Sequence, residues 1–265
     1  MSSWARPHPA LLAIVFCSLL AGSLAAAQNR PPGALRSSVA IPSGPEKELF
    51  DAVNRERAAE DLPPLQWDPA LAAAARRHTM RMSEERLLEH QYSGEDSLRD
   101  RAARAGAHFS MVAENIAIAQ DAESVHMAWM HSPGHRGNIL DPQLTAIGIA
   151  AVNRRGYLFA TQDFSRAVED LTIDEQEKRV AAWLVASGLK PVLAGTDDAR
   201  KTCASDSYSG KAISILRFET SDLTKLPDNV VTRLGAIRSR SAAVGACPAQ
   251  GIPGFTSYRL AILFL

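Results

Sequence analysis

Neither sign of charge is in excess in this chain: 29 Lys and Arg stand against 29 Asp and Glu in 265 residues. Charge therefore gives no support to a nucleic-acid partner. Three signatures of chemistry are also missing, since no HExxH, CxxC or GxSxG occurs anywhere. Their absence removes the metalloprotease helix, the paired-thiolate site and the strand–turn–helix elbow that makes a serine reactive. No amphipathic, Met-rich or aromatic stripe demands a lipid partner. Histidine does not occur after His135, and the second half shows no internal repeat of the first.

Cysteine is scarce, with Cys17, Cys203 and Cys247 alone. Residues 1–27 read as a signal peptide. Arg6 gives a weakly positive start, residues 10–25 are apolar, and Ala25-Ala26-Ala27 fits a small-residue cleavage site. An N-terminal membrane anchor is the alternative, because the apolar run approaches spanning length. Bulky Phe16 argues against lipidation of Cys17. Cleavage predicts a secreted or periplasmic protein with no membrane span, and it leaves Cys203 and Cys247. An even number in an exported chain points to one disulfide, with two buried free thiols as the alternative. The bridge would contribute about 4 kcal/mol in the chain-entropy description.

Residues 28–44 are rich in Pro, Gly and Ser and read as a linker. Order is predicted from Ser43, where SGPE has the form of a capping box and Pro45 suits a first helical turn. Leu49, Phe50 and Val53 then recur at helical spacing, and Pro63-Pro64 should stop the helix. Asp68-Pro69 starts a second helix as cap and first residue. Leu71, Ala75, His78 and Met82 share one of its faces, so His78 reads as a packed core imidazole. A third helix is predicted over about 95–105, ended by Gly106, and a fourth from Asp121 through Val125 and Trp129. From Thr145 the period changes. TAIGIAAV and YLFATQDF read as two strands joined by the turn NRRG. This unit spans 45–167.

Residues 170–265 read as a separate, smaller α/β unit of unknown role. A helix over 174–188 is capped by Asp174 and ended by Gly188. A strand (214–220), a helix (228–240) and a buried strand (256–265) follow.

Outside the leader, all six histidines lie between His78 and His135. Histidine is the commonest metal ligand, so any metal or acid–base site belongs to the first unit. His131 and His135 have the spacing of a helical ligand pair. Pro133 and Gly134 interrupt it, so HSPGHRGNIL reads as a turn in which the two rings part company. Ser132 has no elbow to make it a nucleophile.

Five segments in order resemble the bacterial branch of the CAP superfamily, or SCP domain, which includes cysteine-rich secretory proteins, venom antigens and plant pathogenesis-related proteins. They are NRERAAEDLPPLQWDPALAAAARRHTMRM, EH (89–90), RAARAGAHFSMVAENIAIA, AWMHSPGHRGNIL, and the pair IGIAAV and LFATQDFS. The resemblance implies an α+β fold, a three-layer α-β-α sandwich around an antiparallel sheet. It also implies a cleft in which His90, Glu114 and His135 hold a divalent cation, zinc or similar. Asn115, Ser132 and Arg136 border that cleft. Ser132 stands where animal and plant members carry a second glutamate, which weakens the case for a general base. Asn54 and Arg57 read as structural, and Trp67, Trp129 and Phe164 as core.

The expectation is a secreted, non-enzymatic ligand-binding module with no catalytic residue. Its partner would be a small-molecule, lipid or cell-envelope ligand. The alternatives are a metal-dependent hydrolase of peptide or envelope material and a structural interaction module.

Overall fold

In a computed structural model of the protein, residues 44–205, 210–237 and 239–265 are described. The expected signal peptide, and the expected linker as far as residue 43, lie outside them. Among the described residues no helix is long and apolar enough to cross a membrane.

Helix α1 (Pro45–Ala59) opens on Pro45, but its N-cap is Gly44 at φ 57° and no side chain caps it. The capping box expected from Ser43 is therefore replaced by a glycine in the left-handed region. Leu49, Ala52, Val53 and Arg57 form the buried face. Strand β1 (Gln66–Trp67) follows, and Asp68 caps α2 (Pro69–Glu85) as expected. Its Oδ1 accepts from the amides of Ala70 at 2.7 Å and Leu71 at 3.1 Å. Helix α3 (Leu98–Arg104) is capped by Ser97, and Gly106 turns the chain at φ 94°. Strand β2 (Phe109–Ala119) leads to α4 (Ala122–His131), capped by Asp121.

At HSPG the structure departs from the expected turn. Helix α5 (Pro133–Ile139) begins at once, with Ser132 extended at ψ 118° and Pro133 as its first residue. Proline breaks the preceding helix yet suits the first turn of the next, and Gly134 is tolerated inside it. Strands β3 (Ala146–Arg154) and β4 (Tyr157–Ala167) form the expected hairpin. Arg155 and Gly156, both at positive φ, make its tight turn.

The first sheet has the order β1-β3-β4-β2. The β3–β4 and β4–β2 pairings are antiparallel, and the short β1 runs parallel to β3. On one face α1 and α4 bury Leu49, Val53, Val125 and Trp129 against Ile147, Ile149 and Phe164. On the other, α2 and α3 bring Leu71, Ala102 and Met82 onto Phe109, Ala146, Ile116 and Phe159. Each large apolar side chain so buried contributes about 1.5–3 kcal/mol. This is the three-layer sandwich. Gly148 lets α2 lie directly on β3, since a Cβ there would sit 2.0 Å from the Ala72 amide nitrogen.

The remaining elements are α6 (Ile173–Ala186), β5 (Val192–Ala194), α7 (Asp197–Ala204), β6 (Ser214–Thr220), α8 (Asp228–Leu234), β7 (Ala242–Cys247) and β8 (Tyr258–Phe264). Helix α6 is capped by Thr172 in a capping box with Glu175, and not by Asp174. Helix α8 ends at Leu234, short of the expected 240. Cys203 and Cys247 form the disulfide, with their Cα atoms 5.7 Å apart. The second sheet has the order β5-β7-β8-β6, again with one parallel edge pairing and two antiparallel ones. The connection between β7 and β8 lies against the first sheet. Phe255 meets Phe109 edge-on at 5.5 Å, and the Thr256 amide donates to the Phe109 carbonyl at 2.8 Å.

A histidine cleft over a buried ionic network

The segment carrying His90 has no regular structure, so side chains must hold it. His78, fully buried in α2, does this from below. Its Nε2 reaches the Glu89 carbonyl at 3.0 Å and its Nδ1 reaches Glu95 at 2.8 Å. Arg101 of α3 donates to the His90 carbonyl at 3.1 Å. The backbone on both sides of the Glu89–His90 peptide is thereby pinned by residues of two different helices.

Glu114 projects from β2 beneath His90 and is almost wholly buried. Its Oε1 accepts from His90 Nδ1 at 2.8 Å, and its Oε2 is bound by the Arg101 guanidinium. A carboxylate only accepts, so His90 donates from Nδ1, and its Nε2 takes no part in that bond. The His90 side chain is 60% exposed, which places that nitrogen within reach of solvent. The hydrogen bond to Glu114 raises the His90 pKa above its ordinary value, burial opposing it.

His135 lies on α5. Its place is fixed by Asn115, whose Nδ2 donates to the His135 carbonyl at 3.1 Å. Asn138 closes the same link, donating to Asn115 Oδ1 at 2.9 Å. Burial lowers the His135 pKa, and the nearby His90 charge lowers it further. The two imidazoles are thus shifted in opposite directions.

Asp163 completes the floor. It is the cross-strand partner of Glu114 and is completely buried. No donor reaches either of its oxygens. Burial first, and the Glu114 charge second, push its pKa well above the usual carboxylate range. The Arg101 guanidinium pairs with Glu95 and Glu114, and Asp163 has no such partner, so its neutral form is favoured.

Of the anticipated ligand set, His90 and Glu114 are bonded to each other, and His135 lies on α5. Among the described residues no cluster of three or more His, Cys, Asp or Glu side chains is disposed to hold a metal. Both Glu114 oxygens are engaged, one by His90 and the other by Arg101. Ser132 is the residue between α4 and α5, and its side chain makes no capping bond. Arg136 pairs with Glu60 at 2.9 Å, and not with a carboxylate of the cleft. His131 bonds locally to the Met127 carbonyl at 2.7 Å. Arg57 is structural as expected, donating to the carbonyls of Pro63, Ile139, Asp141 and Leu144.

Sequence reasoning missed Arg101, Asp163 and Asn138. The signal for Asp163 was present, as a carboxylate inside the apolar run YLFATQDF. The signal for Arg101 was weak, one arginine among several in a short helix.

An α-β-α sandwich with paired imidazoles above a buried carboxylate–guanidinium network defines the class. The chain matches the Cysteine-rich secretory protein family over residues 50–164. That segment belongs to the bacterial CAP superfamily. It is 38% identical over 108 residues to the uncharacterized protein YkwD of Bacillus subtilis, covering 40% of this chain and 42% of that one. It is 32% identical over 120 residues to the uncharacterized membrane protein YlbC of the same organism, covering 45% and 34%. The chain thus spans less than half the length of the curated relatives it matches. Among solved structures it resembles an extracellular SCP-domain protein of Bacillus anthracis, at 32% identity and a TM-score of 0.44, covering 46% of this chain and 40% of that one.

Proposed function

We propose that the first unit is a non-enzymatic ligand-binding module of a secreted or periplasmic protein. Its cleft takes a divalent cation such as zinc on His90 and His135. The observation that carries this reading is the Glu114–His90 hydrogen bond at 2.8 Å, which leaves Nε2 of an exposed imidazole free beside a second histidine. A carboxylate on the far nitrogen of a ligating histidine fixes its tautomer and raises its basicity. Imidazole donors suit zinc and its neighbours in the series. Glu114 acts behind His90 and not as a ligand itself. Two imidazoles are fewer than the three protein ligands of catalytic zinc sites, so a bound ligand with an oxygen or nitrogen donor would complete the shell.

The non-enzymatic reading is supported by the carboxylates. Glu114 is tied to Arg101 and His90, and Asp163 is completely buried. Neither is free to act as a general base toward a substrate in the cleft. Ser132 occupies the place where a second glutamate would stand in the animal and plant members.

Calorimetric titration of zinc into the purified protein tests the site. The expected result is saturable binding that is abolished in the His90→Ala/His135→Ala protein. Glu114→Gln should weaken it by about 10–100-fold, as loss of an outer partner typically does. Equal affinity in the double variant removes the cation site. Turnover of peptide or peptidoglycan by the zinc-loaded protein overturns the non-enzymatic reading.

A further inference from the structure

We infer that residues 173–264 are a second, abridged copy of the fold at 45–167, one that lacks the segments carrying the cleft. Strand order alone would be thin support, because simple topologies recur in unrelated sheets. The correspondence goes down to single residues.

In the first sheet Trp67 pairs with Ile147, and the next amide, that of Asp68, donates to the Ile147 carbonyl at 2.9 Å. In the second, Ala194 pairs with Val244, and the next amide, that of Gly195, donates to the Val244 carbonyl at 2.8 Å. Each paired strand then continues with a glycine, Gly148 or Gly245. A Cβ at Gly148 would meet the Leu71–Ala72 peptide at 2.0–2.3 Å, and one at Gly245 the Ala199–Arg200 peptide at 2.2–2.3 Å. Leu71 and Ala199 are both the third residue of their helices. The closest approach of helix to sheet is the same peptide bond in both units, and topology does not require that.

The registers extend the equivalence. Gly148 faces Asp163, which faces Glu114; Gly245 faces Ala261, which faces Arg217. Arg217 thus stands at the place of Glu114, and Ala261 at that of Asp163. One helical turn on from the close contact, Cys203 corresponds to Ala75, and two residues along the strand Cys247 corresponds to Ala150. Ala75 and Ala150 are both fully buried. The disulfide of the second copy occupies the place of two buried alanines in the first.

What the second copy lacks is the pair of connections that bear the chemistry. In the first copy residues 86–108 carry His90, Glu95 and Arg101 between α2 and β2, and α5 carries His135 between β2 and β3. In the second, α7 is joined to β6 through 205–213, and among the described residues α8 is the one helix between β6 and β7. The scaffold is repeated and the loops that hold the site are not.

The full-length Ala75→Cys/Ala150→Cys protein, purified under oxidising conditions and digested without reduction, tests the equivalence. Mass spectrometry should find a 75–150 disulfide beside the native 203–247 one, because equivalent positions share a Cα separation that a disulfide can span. Ala75→Cys/Ile149→Cys is the control, since Ile149 belongs to the opposite face of the sheet, and its thiols should stay free. Free thiols at 75 and 150 in a folded double variant would overturn the inference. Should that variant fail to fold, Cys203→Ala/Cys247→Ala decides. It recreates the first copy's alanine pair, so β7 and β8 should stay paired, their amides exchanging faster than in the parent but still more slowly than in an unfolded chain. Loss of that protection would count against the copy.

Discussion

Arg101→Met puts the ionic floor of the cleft to the test. Arg101 is 4% exposed in its side chain. It binds Glu114, lies 3.8 Å from Glu95, and donates to the carbonyls of His90 and Asp96. Methionine fills much of the volume and supplies none of these donors. Breaking a buried ion pair from one side costs about 3–5 kcal/mol, because the remaining charge is left without compensation. For a chain of this size that corresponds to a fall in Tm of roughly 6–20 °C. Urea unfolding at pH 7, followed by circular dichroism and checked by calorimetry, measures it. The partner variant Glu114→Gln sharpens the test. In Arg101→Met/Glu114→Gln the Glu114 charge is no longer stranded, so the double variant should lose less than the sum of the singles, with a coupling of about 1–3 kcal/mol. A midpoint for Arg101→Met within about 0.5 kcal/mol of the parent, in the range of an ordinary surface change, would refute the reasoning. So would strictly additive behaviour of the pair.

Asp163→Asn should have an effect that depends on pH. Burial and Glu114 raise the folded-state pKa of Asp163, so ionisation above about pH 4 favours the unfolded chain. The asparagine variant escapes this, and its stability relative to the parent should grow as pH rises from 4 to 7; an equal difference at both pH values would contradict the assignment. Cys203→Ser/Cys247→Ser should cost about 4 kcal/mol, from a bridge between residues 44 apart in sequence. Hydrogen exchange should place that loss in β5–β8, and a loss spread evenly over both sheets would be inconsistent with the two separate cores.

The elements legible in the sequence were those with local causes. Asp68-Pro69 and Asp121 cap helices because a side-chain oxygen satisfies nearby amides, a relation contained within three residues. The β3–β4 hairpin was legible through its alternation and its glycine turn. Helix α5 was not, because Pro133 was read as the end of one helix when it also suits the start of another. Strands β5 and β7 and helix α7 were missed for a different reason. β5 and α7 are short, and AAVGAC is buried at every position, so neither alternation nor length marks it as a strand. In the candidate site, His90, Glu114 and His135 were named through resemblance, and the contacts of Glu114 with Arg101 were not foreseen. Whether a carboxylate is a ligand or a partner behind one depends on what else reaches it. Arg101 and Asp163 reach it across the sheet and from α3, contacts that no local pattern encodes.

The central claim is that Glu114 holds His90 from behind and leaves Nε2 free for the cation. Nitrogen-15 NMR of histidine-labelled protein, recorded with and without zinc, tests it most directly. The account predicts that Nδ1 of His90 stays protonated throughout, while Nε2 of His90 and one nitrogen of His135 move to metal-bound shifts. Loss of the Nδ1 proton on adding zinc, or a His90 ring that does not respond, would contradict it.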